Sequence, residues 1–104
     1  MEETELIEFA SEFRNGILDG KTPHMNCWIV SQPLSLLLLE MGIKNEIVNF
    51  DIDADNFTLK THFGTIEHFC IKVGNKILDA TASQFKGMPE VYFGSIPIWY
   101  KKIN

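Results

Sequence analysis

The chain has 104 residues, of which 45% are hydrophobic and 22% are charged, and this length and composition are typical of one globular domain. We therefore expect residues 1–104 to form a single domain with a modest core. The formal net charge of −5 argues against a nucleic-acid-binding protein, because phosphate binding depends on clustered Lys and Arg.

The N-terminal stretch MEETELIEFASEF is acidic and alternates polar with apolar residues. It lacks the basic region and the continuous apolar segment of a secretion signal. The longest apolar run, LLLL, is far shorter than the roughly 20 residues that cross a bilayer. We expect no membrane association, and a location in the cytoplasm or delivery to a host or target cell without a conventional signal peptide. Both cysteines are then expected to be free thiols.

The spacing of apolar residues predicts a first, amphipathic helix over residues 3–17. Gly16, Gly20 and Pro23 then follow within a short stretch, and such residues indicate a loop.

A second helix is predicted over residues 26–41, with Asn26 as its cap and Cys27 in its first turn. Pro33 leaves an alternative open, because a proline inside a helix removes one backbone hydrogen bond. In that alternative the helix starts at Ser31 as cap, and Cys27 lies in a preceding loop or turn. We favour the longer, kinked helix.

The rest of the chain predicts an antiparallel sheet of about four or five strands. The predicted segments are a strand at 43–50, an acidic turn at 51–57, a further short strand at 57–63, two strands at 67–73 and 76–82, and one or two strands at 90–103 interrupted by Pro97. Two helices followed by such a sheet make an α+β fold.

Gly74 and Asn75 form a two-residue, glycine-first loop of the kind that favours a tight hairpin. This hairpin pairs Val73 with Lys76 and continues until Cys70 lies opposite Asp79. His68 and Asp79 are then diagonal neighbours on one face of the sheet, about 7–8 Å apart at the backbone and within side-chain reach.

A carboxylate in this position can accept the proton of one imidazole nitrogen and orient the ring, leaving the other nitrogen for a nucleophile. Cys27 is the obvious nucleophile, because its helix must pack on the sheet. An imidazolium and a helix N-terminus both stabilise a thiolate. The Cys27 N–H, in the first turn, could also donate to the oxyanion of a tetrahedral intermediate.

The order Cys, His, Asp, with CW opening an apolar helix, HF on one strand and ILDATASQF on the next, resembles the papain-like and transglutaminase-like cysteine enzyme superfamily. The resemblance covers roughly residues 26–85. It implies that Cys27 is the nucleophile, His68 the general base and acid, and Asp79 the orienting group. It also implies hydrolysis of a peptide or side-chain amide through a thioester, or acyl transfer to an amine, on a peptide or protein substrate and without a cofactor.

The sequence departs from the papain-like pattern at one position. Papain-like proteases carry a glutamine six residues before the cysteine as an oxyanion donor, and Lys21 stands there in this chain. Asn26, Gln32 and Gln84 are candidates to replace it. Trp28, next to the nucleophile, is a candidate for substrate binding as well as for the core.

Two other interpretations stay open. A short chain with an incomplete oxyanion set also fits a catalytically silent binding protein, such as an inhibitor, an immunity protein or an adaptor. A zinc site built from His24, Cys27, His62 and His68 is conceivable, but these spacings match no common zinc pattern, so we predict no metal. The sequence makes no prediction of the oligomeric state.

Overall fold

A computed structural model describes residues 1–24, 26–59 and 63–103 of the chain. Two helices come first and a five-stranded sheet follows. The elements are α1 (Glu3–Leu18), α2 (Cys27–Glu40), β1 (Glu46–Asp53), β2 (Thr65–Val73), β3 (Lys76–Asp79), β4 (Tyr92–Gly94) and β5 (Lys101–Lys102). Single 3₁₀ turns lie at Ala54–Asn56 and Ala82–Gln84. The predicted α+β architecture is confirmed.

The sheet has the order β4-β3-β2-β1-β5, and all neighbouring strands are antiparallel. Gly74 has φ +65°, a conformation that glycine adopts without strain, and it turns β2 into β3. The predicted hairpin register is confirmed, with Val73 opposite Lys76 and Ile71 opposite Leu78. The strand that carries His68 is therefore the central one.

The sheet has a core on each face, because side chains alternate along every strand. On the first face α1 and α2 pack over Ile71 and Leu78. On the second face, loops and the 3₁₀ turn at Ala82–Gln84 cover the sheet. The second core consists of Phe50, Ile52, Phe57, Cys70, Ile77, Phe85 and Tyr100.

Helix α2 begins at Cys27 and continues through Pro33, so the longer helix is confirmed and the start at Ser31 is wrong. Pro33 has no N–H for the carbonyl of Ile29. Ile29 is 55% exposed, so this turn of the helix lies at the surface. Among the described residues, no helix is long and apolar enough to span a membrane.

Several predicted boundaries need correction. Helix α1 ends at Leu18, one residue later than predicted. Strand β1 starts three residues later than predicted and extends to Asp53, so the acidic residues predicted as a turn are partly strand, and Asp51 pairs with Lys101 of β5. Strand β3 ends at Asp79, because that carboxylate accepts the N–H of Thr81 and turns the chain.

The strand predicted at 57–63 falls partly on residues 60–62, which lie outside the described residues. In the described part, Phe57 forms a single bridge with Phe85, and Thr58 donates its N–H to the carbonyl of Gln84. This segment therefore closes over the second face near the 3₁₀ turn at Ala82–Gln84.

Candidate active site

His68 and Asp79 form a buried pair at the end of the β2–β3 hairpin. The Nε2 atom of His68 lies 2.6 Å from the Oδ2 atom of Asp79. The side chains are 2% and 0% exposed. The proximity predicted from the hairpin register is confirmed, and it fixes Nε2 as the nitrogen that faces the carboxylate.

Asp79 has donors on both of its oxygens. The N–H and the hydroxyl of Thr81 donate to Oδ1 at 3.1 and 3.3 Å, and the Tyr100 hydroxyl donates to Oδ2 at 2.6 Å. Burial alone raises the pKa of Asp79, but the charge of His68 and these hydrogen bonds outweigh burial and lower it. A buried carboxylate therefore stays ionised beside the imidazole.

Cys27 lies next to His68, beside the part of β2 that extends beyond the end of β3. β3 stops at Asp79, and the first turn of α2 takes its place beside Phe69. The Phe69 N–H donates to the Cys27 sulfur, and the Ser31 hydroxyl donates to the Phe69 carbonyl at 3.3 Å. Two side chains of the helix thus satisfy backbone groups that a longer β3 would pair, as buried backbone groups require.

The Cys27 thiol and the His68 ring are hydrogen-bonded to each other. Since Nε2 faces Asp79, Nδ1 is the nitrogen available to the thiol. Burial raises the pKa of Cys27, but the hydrogen bond and charge of His68, with the Phe69 N–H, lower it overall. Burial lowers the pKa of His68, yet Asp79 and Cys27 raise it to about 9. Both shifts favour a thiolate–imidazolium pair.

Aromatic rings enclose the imidazole on the second face of the sheet. Phe85 and Tyr100 meet the ring edge-on, with centroids 4.8 and 5.8 Å away. Trp99 packs against both of them at 5.3 and 4.7 Å. This wall keeps water away from the His68–Asp79 hydrogen bond and so strengthens it.

The three candidates for oxyanion donation or substrate binding lie in different surroundings. Asn26 occupies the predicted cap position of α2, but its side chain makes no cap hydrogen bond, and its amide nitrogen donates to the Thr22 carbonyl at 2.7 Å. Trp28 is 48% exposed and packs edge-on against Phe69, so it lies on the surface beside Cys27 rather than in the core. Gln84 is 2% exposed and lies beside His68. Gln32, the other candidate donor, is exposed on α2.

Two groups that hold Asp79 in place were not predicted from the sequence. Arg14 of α1 is buried, and its Nε donates to the Ala80 carbonyl at 2.7 Å, directly after the acid. Tyr100 reaches the same carboxylate from the C-terminal segment. The signal in the sequence is the position of Arg14, which falls in line with Leu6, Ala10 and Leu18 on the apolar face of the helix. An arginine there needs a partner, because arginine is rarely buried unless paired.

The zinc alternative has no support in the described part of the chain, where no group of three or more His, Cys, Asp and Glu side chains is arranged to hold a metal ion. His62, one of the four residues considered, lies outside the described residues. The Nε2 atom of His24 lies 3.1 Å from the Thr58 hydroxyl.

Comparison of the chain with protein-family models, with curated proteins and with solved structures gives no match. The case for a function therefore depends on the geometry and electrostatics of Cys27, His68 and Asp79.

Proposed function

We propose that the protein is a cysteine-dependent amide hydrolase of the papain-like or transglutaminase-like type, in which Cys27 is the nucleophile. One observation carries this proposal. The Cys27 thiol begins a helix and is hydrogen-bonded to His68, and His68 is hydrogen-bonded at 2.6 Å to a carboxylate with no solvent exposure. Nucleophile, base and orienting acid are thus in contact in that order.

In the proposed reaction the Cys27 thiolate attacks the amide carbonyl carbon, forming an S–C bond while the carbonyl π electrons move to oxygen. The N–H groups of the first turn of α2 lack acceptors within the helix and are donors for that oxyanion. His68 then gives its Nδ1 proton to the leaving nitrogen as the C–N bond breaks, which leaves a thioester on Cys27.

A water molecule completes the cycle. His68 removes a proton from the water as it attacks the thioester, and the S–C bond breaks to release a carboxylic acid and regenerate Cys27. Throughout, Asp79 keeps the ring oriented and stabilises the imidazolium. Because the thiol must stay reduced, we propose that the protein works in a reducing compartment such as the cytosol.

The substrate we propose is a peptide or the side-chain amide of a protein. Support comes from the surface beside the nucleophile, where Trp28 and Phe69 form an edge-on aromatic pair with centroids 5.0 Å apart. Trp28 is about half exposed, so a substrate chain that approaches Cys27 meets an apolar platform.

Alkylation by iodoacetamide between pH 5 and 9 tests the proposal. The rate at Cys27, located by mass spectrometry, is compared among the wild type, His68→Ala and Asp79→Ala, and Cys27→Ala gives the background labelling. We expect the wild type to react fast already near pH 6, and the His68 and Asp79 variants to need higher pH. The thiol of the urea-unfolded chain is the matched reference.

The proposal is wrong if Cys27 in the folded protein reacts no faster than it does in the unfolded chain, or if His68→Ala leaves the pH profile unchanged. Either result would favour a binding protein that keeps the same fold without turnover.

A further inference from the structure

The side-chain amide of Gln84 lies against the nitrogen of His68 that the mechanism uses. Its Nε2 atom is 3.4 Å from His68 Nδ1, and it lies 3.1 and 3.2 Å from the carbonyl and hydroxyl oxygens of Thr81. Gln84 is 2% exposed. The amide is therefore a fixed part of the site rather than a mobile surface group.

Its neighbours fix which end of the amide faces His68. The Thr81 carbonyl can only accept a hydrogen bond, and the Thr81 hydroxyl spends its proton on Asp79 Oδ1 at 3.3 Å. Both oxygens therefore need the NH₂ group. The two oxygens belong to one residue and share one hydrogen of this group, and the other hydrogen then points at Nδ1, which accepts it in the neutral ring.

Nδ1 has a single lone pair, and two donors approach it. Cys27 must deliver its proton to that lone pair to become a thiolate, while the Gln84 N–H occupies it. Once Nδ1 is protonated, its N–H faces the N–H of Gln84, which is unfavourable. The titratable groups that face the ring are Cys27 from α2, Asp79 from β3 and Tyr100 from the C-terminal segment.

Asp79 and the Cys27 thiolate favour a protonated ring, and Tyr100 stabilises the Asp79 carboxylate. Gln84 acts in the opposite direction. We propose that Gln84 is a positioning residue that weakens the protonation of His68 in the free protein and gives its amide N–H to an acyl oxygen when one is bound.

The acceptor that can relieve this restraint is the carbonyl oxygen of the substrate. When that oxygen takes the Gln84 N–H, Nδ1 is freed to accept the thiol proton, and the same N–H stabilises the developing oxyanion. A bound acyl group then adds to the preference for the thiolate–imidazolium pair that the free protein already has. This inference rests on the proposed function, and its first test does not require turnover.

The first test measures the pKa of His68 by NMR in a Cys27→Ala background, where no thiol competes for Nδ1. Gln84→Met removes the N–H at similar volume, and we expect the His68 pKa to rise by about half to one unit, the size of one neutral hydrogen bond. Gln32→Met, the same substitution on the exposed side of α2, is the matched control and should leave the pKa unchanged.

If Gln84→Met does not fold, as judged by thermal unfolding, Gln84→Asn withdraws the amide from Nδ1 and should shift the pKa in the same direction. An unchanged or lowered His68 pKa in the folded variant overturns the restraint. This result is independent of whether Cys27 is a nucleophile.

The second test compares two probes on the chain with Cys27 intact. Iodoacetamide forms an S–C bond and releases iodide without an oxyanion, whereas 4-nitrophenyl acetate acylates the thiol through an oxyanion and releases nitrophenolate. We expect Gln84→Met to lower the ratio of acylation to alkylation rates by about tenfold or more.

An unchanged ratio overturns the transfer of the N–H to the acyl oxygen. If wild-type Cys27 reacts with both probes like a thiol of the unfolded chain, the proposed function is wrong, and so is the transfer of the Gln84 N–H to the substrate oxygen. The NMR result then still decides whether Gln84 restrains the ring, so the two failures are distinguishable.

Discussion

The chain carries two thiols in opposite environments, one at the first turn of α2 and one in the middle of β2. Cys27 is partly exposed, hydrogen-bonded to His68, and has a lowered pKa. Cys70 is 0% exposed in the second core, and burial first, then the charge of Asp79, raise its pKa. The same Asp79 charge acts on both thiols.

The difference is that His68 stands between Asp79 and Cys27, while the charges that act on the Cys70 thiol are those of Asp79 and Cys27, both negative. A positive ring converts the influence of the carboxylate from unfavourable to favourable for the Cys27 thiolate. Position relative to an imidazole, and not residue type, therefore decides which thiol has the lowered pKa. The following experiments try to remove that difference.

His68→Ala should remove most of the difference between the two thiols. Without the imidazolium, burial and the Asp79 charge should raise the pKa of Cys27 to at least the ordinary value near 8.5, so that less than about 1% of the thiol is thiolate at pH 6. We expect the alkylation rate of Cys27 at pH 6 to fall by about tenfold or more, measured by mass spectrometry of quenched samples. Cys70 should stay unreactive in both proteins, and a fall of less than threefold at Cys27 would contradict the comparison.

Cys27→Ala should reveal a pH dependence of stability that the thiolate offsets. The raised pKa of His68 contributes stability that is fully present below about 6.5 and is lost as pH rises toward the folded value of about 9. The lowered pKa of Cys27 contributes stability that is present above its unfolded pKa and is lost as pH falls through the folded value.

In the wild type the two contributions oppose each other between about pH 6.5 and 9, because the folded pair and the unfolded pair then bind about the same number of protons. Urea unfolding should therefore give a nearly constant free energy for the wild type across this window. In Cys27→Ala it should decrease as pH rises. Below about pH 8, where the Cys70 thiol is protonated in both the folded and the unfolded chain, Cys70→Ala is the matched control and should keep the wild-type profile. A flat profile in Cys27→Ala would contradict the ion pair.

The sequence predicts the local part of this site well and the distant part poorly. Gly74 and Asn75 define the hairpin, and the period of two along its strands brings His68 to Asp79. The contact with Cys27 needed the added argument that an apolar helix packs on the sheet. These inferences succeed because each depends on short spacings or on one packing rule.

Arg14 and Tyr100 could not be placed in the same way. They lie 66 residues before Ala80 and 21 residues after Asp79, and no local pattern links them to the hairpin. Their positions follow from how α1 and the C-terminal segment pack. The end of β3 was also missed, because it depends on a turn made by the Asp79 carboxylate with Thr81.

Tyr100→Phe should weaken the support of Asp79 and keep the aromatic wall. The variant loses the hydroxyl that donates to Oδ2 at 2.6 Å, and hydrogen bonds to charged groups contribute about 2 kcal/mol. We expect the free energy of unfolding, measured in urea at pH 7, to fall by about 2 kcal/mol. Tyr92→Phe, whose hydroxyl donates to the exposed Ser95 carbonyl, is the control and should change stability by less. Equal effects would show that Tyr100 gives no particular support.

Ser31→Ala should have the smallest effect and tests what holds Cys27 at the edge of β2. The Ser31 hydroxyl donates to the Phe69 carbonyl at 3.3 Å, one turn of helix beyond the Cys27 thiol that accepts the Phe69 N–H. Losing that bond should cost about 1 kcal/mol and loosen the first turn of α2 against the strand. Alkylation of Cys27 at pH 6 should slow by a few-fold, while Cys70 stays protected.

Ser35→Ala, which removes a hydroxyl bonded to Asn45 at the far end of α2, should cost similar stability without slowing the alkylation of Cys27. If both variants slow Cys27 equally, general loosening of the helix explains the effect, and the bond to Phe69 has no special part in placing the nucleophile.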